Sequence, residues 1–80
     1  MDDKDAAQKI LKFIDCPLGK YQHYKGPFYW VFATSIDEAT LAPLVHYESL
    51  THGTCWTRTI DNFTEKVQGV PRFKYVGGEK

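Results

Sequence analysis

Fourteen consecutive residues, Gly19-Lys20-Tyr21-Gln22-His23-Tyr24-Lys25-Gly26-Pro27-Phe28-Tyr29-Trp30-Val31-Phe32, carry six aromatic rings and one histidine, half of the aromatic side chains in an 80-residue chain. A chain of this size buries only about 60% of its unfolded surface. So dense a run of rings must therefore build the core or line a surface. Gly26-Pro27 breaks the run, because proline lacks a ladder donor and glycine takes dihedrals that other residues avoid.

From Tyr21 onward the chain reads as short strands rich in β-branched and aromatic residues: Tyr21–Tyr24, Phe28–Ser35, Leu44–Ser49, Cys55–Thr59 and Arg72–Val76. Residues 37–43 form a longer connection, and Thr51-His52-Gly53-Thr54 is a hairpin turn. Between the fourth and fifth strands, Ile60 to Lys66 fits one helical turn with Phe63 pointing inward. Strand spacing of this kind, closed by a 3₁₀-like turn and a last strand, predicts a small SH3-like antiparallel β-barrel.

The segment before it has a different period. Ala7, Ile10, Leu11 and Ile14 recur at helical spacing, Asp2, Asp3 and Asp5 suit the positive end of a helix dipole, and Pro17 stops propagation. The expected organisation is a mostly β fold with one N-terminal helix: residues 1–18 hold the helix packed on the domain, 19–76 the five strands, and 77–80 a fraying tail.

Apolar residues at 42% and charged residues at 25% are ordinary globular values, so disorder is not expected. Ten basic and ten acidic residues cancel, which disfavours non-specific nucleic-acid binding. The acidic N-terminus has no apolar signal-peptide core, and no apolar run reaches membrane-span length. Cys16 and Cys55 lack metal or redox spacing. These features predict a cytoplasmic monomer with two separate reduced thiols, no membrane contact and no cofactor.

Period-two alternation in the second strand sets Tyr29, Val31 and Ala33 against Phe28, Trp30 and Phe32. Both sets are apolar, so the N-terminal helix is expected to cover Trp30 and Phe32. The third strand sets Val45, Tyr47 and Ser49 against Leu44, His46 and Glu48. In the fourth, Trp56 and Arg58 share a face, where a guanidinium can stack on a ring or frame a pocket. Hydrolase, kinase and phosphate-loop signatures are missing. His23, His46 and His52 come from three segments without metal-ligand spacing, so no metal site is expected.

The residues also carry a family resemblance. Tyr21-Gln22-His23-Tyr24-Lys25-Gly26-Pro27-Phe28-Tyr29-Trp30-Val31 resembles the opening motif Y-x-H-Y-K-G-x-x-Y-x-V of the short, mostly bacterial domains called domain of unknown function 1653. Leu44-Val45-His46-Tyr47, the W-x-R pair Trp56 and Arg58, the lone Phe63 and Val70-Pro71-Arg72-Phe73 follow in the family's order. Thr59 departs from the proline that often follows the W-x-R arginine. The resemblance spans about residues 19 to 76 and implies a compact, mostly β domain with no established activity.

Three functions follow as expectations. In the first, His23, Tyr24, Lys25, Tyr47, Trp56 and Arg58 form one contiguous binding surface for a peptide, a nucleotide or a nucleic-acid base. In the second, a small enzyme uses His23 or His46 as general base while Arg58 holds an anion. In the third, the domain is a structural accessory that docks on a larger protein through its helix. So short a chain has little room for a deep pocket, which favours binding over catalysis.

Overall fold

The β-branched and aromatic runs pair into one antiparallel sheet in the computed structural model, which describes residues 16–78. In chain order the elements are β1 (Gly19–His23), β2 (Phe28–Ile36), β3 (Pro43–Ser49), β4 (Cys55–Thr59), a single helical turn α1 (Ile60–Phe63), β5 (Lys66–Val67), β6 (Val70–Pro71) and β7 (Phe73–Gly77). The sheet order is β4-β3-β2-β1-β7, and β5 and β6 form a separate two-stranded hairpin. The N-terminal helix expected from the apolar repeat of Ala7, Ile10, Leu11 and Ile14 lies outside the described residues.

Local chemistry explains the turns. The His23 carbonyl accepts from the Gly26 amide and the His23 amide donates to the Pro27 carbonyl, both at 2.8 Å, with Gly26 at φ +116°. Asp37 Oδ1 accepts from the amides of Ala39 and Thr40 and holds the β2–β3 connection. Gln68 and Gly69 both have positive φ, as a tight two-residue hairpin between β5 and β6 requires.

Thr59 ends β4 in an extended conformation and accepts the Asn62 amide on its Oγ1 at 3.2 Å, which starts α1. The turn drives Phe63 under the sheet, where it is 1% exposed. Burying such a ring contributes roughly 2–3 kcal/mol over leaving it in water. Phe63 stacks on Phe73 (4.2 Å between centroids, 6° between planes) and meets Tyr21 edge-on at 5.2 Å. Val31, Val45 and Tyr47 complete this core.

The expected closure into an SH3-like barrel is not made: β4 and β7 are the two edges of the sheet and share no ladder. After Thr59 the chain leaves the sheet to insert Phe63, so that gap is spanned by α1 and the β5–β6 hairpin. Only isolated bonds stitch the return, from the Arg72 amide to the Glu65 carbonyl (2.9 Å) and from the Tyr24 amide to the Arg72 carbonyl (3.0 Å). Gly77, expected in the tail, pairs with Lys20.

The alternation expected for β2 holds only up to Val31. Val31 pairs with Tyr47 and Ala33 with His46, so Phe32 is an extra residue without a cross-strand partner. This bulge moves Ala33 to the outer face and brings Thr34 opposite the buried Val45. Phe32 is 45% exposed and Trp30 half-buried; the helix expected to cover them lies outside the described residues.

Candidate ligand pocket

Cross-strand pairs share a face of a sheet, and the register brings Trp56 beside Tyr47 and Arg58 beside Val45 on the inner face. On the other side, His23 pairs with Phe73 and Tyr21 with Tyr75. Strand twist and the return of β7 carry these rings toward each other. The result is a pocket of about 180 Å³ lined by His23, Tyr29, Tyr47, Trp56, Arg58 and Phe73.

Tyr47 and Phe73 are buried and form the floor. Tyr29 meets both edge-on with centroids 5.5 Å away, and His23 meets Phe73 edge-on at 4.9 Å. Edge-to-face contacts of this kind fix ring orientations. Trp56 is 54% exposed and presents a large ring at the mouth.

Arg58 is the pocket's cation. Its Nε donates to the Tyr47 hydroxyl at 2.8 Å and its Nη1 donates to Asn62 Oδ1. Both acceptors are neutral, so its charge is oriented without being cancelled. Among the described residues the one ion pair is Arg72 with Glu65, at 3.1 Å. Arg72 also keeps a buried Nε with no hydrogen-bond partner.

His23 accepts the Lys25 amide on Nδ1 at 3.2 Å, which places the proton of the neutral ring on Nε2. Burial, and then the charges of Arg72, Lys25 and Arg58, hold its pKa below the ordinary histidine value. Burial pushes the Tyr47 hydroxyl up, against the opposing pull of its bond to Arg58. Tyr47 is therefore a neutral phenol at physiological pH.

Of the six residues expected to form one surface, His23, Tyr47, Trp56 and Arg58 line this pocket. Tyr24 lines a neighbouring one with Gln22, His23, Gly26, Val70, Pro71 and Lys74. Lys25 lies beside it, its Nζ 5.8 Å from the Tyr24 ring. Tyr29, Phe73 and Asn62 were not among the expected residues. Tyr29 shares the inner face with Val31, and Phe73 closes the V-P-R-F motif, so both had a signal. Asn62 had none beyond its turn propensity.

His46 is placed elsewhere. It pairs with Thr57 on the outer face, with Ser35 Oγ at 2.6 Å from Nε2 and Thr57 Oγ1 at 3.2 Å from Nδ1. A general base at His46 acting with Arg58 is thus ruled out by the sheet that separates them. Cys55 is exposed on β4, and Cys16 is buried with its sulfur 3.5 Å from the Tyr21 hydroxyl. No described helix is long and apolar enough to cross a membrane.

An open five-stranded antiparallel sheet with a cationic, ring-lined pocket on its inner face defines a class of small β domain. The chain belongs to the family described as protein of unknown function DUF1653, whose model matches residues 19–75. The fold is similar to the crystal structure of a DUF1653 protein from Bordetella bronchiseptica, with a TM-score of 0.73 and 31% sequence identity over 80% of this chain and 91% of that one. No curated protein matches the chain.

Proposed function

We propose that this domain is a binding module whose pocket takes one planar heteroaromatic ring with a negative charge beside it, as in a nucleotide. The observation that carries the reading is Arg58: a guanidinium held in place by two neutral oxygens, at the edge of a ring-lined cavity. Such a cation is preorganised and uncompensated, so an incoming anion meets it without first displacing a carboxylate. A cavity of about 180 Å³ has room for one ring, since a cavity of about 150 Å³ holds a benzene. The exposed Trp56 then stacks on that ring from the solvent side.

The test is a titration of labelled protein with nucleoside monophosphates, followed by amide shifts. Binding should perturb Tyr47, Trp56 and Arg58 together. Trp56→Ala and Arg58→Ala should each weaken it about tenfold while leaving the fold intact, because neither side chain belongs to the buried core. Shifts clustering elsewhere, or an unaltered affinity in both variants, would refute the reading.

A further inference from the structure

The second pocket adjoins the first. It measures about 260 Å³, lies where β1 ends and β7 begins, and is closed by Val70 and Pro71 of β6. His23 lines both pockets and so forms the ridge between them. Each side of the ridge carries an accessible ring, Trp56 at 54% exposure on one side and Tyr24 at 40% on the other. Each also carries cations without an ion-pair partner among the described residues: Arg58 on the first side, Lys74 and Lys25 on the second.

We propose that the two pockets form one bipartite site for two successive units of a single-stranded nucleic acid, one base in each pocket and the phosphodiester between them at His23. The inference rests on the nucleotide reading of the first pocket and extends it. The ridge is where the fields of Arg72, Lys25 and Arg58 converge, and it carries the Nε2 proton of His23 as a donor. A ring, an anion and a ring in sequence is the charge pattern of a dinucleotide. A peptide would place a neutral amide on the ridge and leave Arg58 and Lys25 unanswered. It would also bind most readily along a free strand edge, whereas the floor of the first pocket is built from side chains on the sheet face. With no net charge, the domain would grip these two units and not coat a long strand electrostatically.

The experiment compares deoxydinucleoside monophosphates of the four bases, the matching nucleoside monophosphates, and an uncharged methylphosphonate-linked dinucleoside, by amide shifts and calorimetry. The best dinucleoside should bind about tenfold tighter than its mononucleotide, the lower part of what one added base–ring stack supplies. Tyr24→Ala should erase that gain while weakening the mononucleotide far less, whereas Trp56→Ala should weaken both ligands. The methylphosphonate should lose most of the gain. Affinity for the dinucleoside should fall as salt is raised, while that of the methylphosphonate stays nearly constant, because only the former sets a charge against the cations at the ridge. Equal affinities for one and two units, with Tyr24→Ala silent, would overturn the bipartite site and leave the first-pocket reading standing. A proline-rich or acidic peptide shifting Tyr24 and Trp56 together, with nucleotides inert, would overturn both in favour of a peptide groove.

Discussion

Arg58 reaches diagonally across the β3–β4 ladder to donate from Nε to the hydroxyl of Tyr47 at 2.8 Å, joining an edge-strand cation to a core ring. The bond ties the pocket's charge to its floor. Tyr47→Phe keeps the ring and removes the acceptor, so the variant should fold and lose about 1 kcal/mol of stability. A lower urea midpoint with an unchanged slope is the expected record. A midpoint equal to the parent's would show that Asn62 alone positions the guanidinium.

Phe63 is the largest fully buried side chain among the described residues and contacts Tyr21, Tyr47 and Phe73. Phe63→Ala should cost about 3–5 kcal/mol, most of what a domain this small has to lose. Thermal unfolding should move down by tens of degrees or become non-cooperative. A cooperative transition within a few degrees of the parent's would contradict the role given to this ring.

Gly19 holds φ at +138°, and a Cβ there would run into the carbonyl oxygen of Gly77 and come within 3.0 Å of the Tyr75 ring. Gly19→Ala should therefore strain the β1–β7 pairing, at a cost of roughly 1–3 kcal/mol. Hydrogen exchange should accelerate first at Tyr21, Tyr75 and their neighbours, with β3 and β4 following only as the whole domain opens. Uniform acceleration along all five strands would argue that the sheet opens as one unit.

The pH dependence follows from His23, whose folded pKa lies below the ordinary value of 6.5. As pH falls below 6.5 the unfolded chain takes up the proton first, so stability drops until the folded-state pKa is passed and then levels off. His23→Gln should flatten that part of the curve and leave the slope above that range unchanged, with a constant offset from the lost contacts to Phe73 and the Lys25 amide. Ligand affinity should run the other way: an anion at the ridge favours the protonated ring, so binding tightens as the pH is lowered. A parent and variant with parallel stability curves would remove His23 from the account.

Strand positions were legible because glycine, proline and aspartate punctuate the chain, and the faces of β3 and β4 followed from simple alternation. Trp56 and Arg58 could be placed side by side on that basis alone. The bulge could not be read, since nothing in the identity of Phe32 marks it as the unpaired residue; the mismatch exists only against β3. Nor could the return of β7 to β1, a pairing between strands from opposite ends of the chain that no local pattern announces. Phe73 enters the pocket through that return. Tyr24 and Lys25 were expected at the same rim as Trp56, and the ridge of His23 puts them beyond it.

Lys20 pairs with Gly77, which means that the chain enters and leaves the sheet on neighbouring strands, about 5 Å apart. A host protein interrupted at one surface loop could carry this unit with almost no change in the separation of the loop's own ends. The same geometry makes the domain a candidate for rearranged connectivity. Joining residues 19 and 77 by a short glycine linker and opening the chain in the exposed turn at Thr51–Gly53 would preserve every ladder of the sheet.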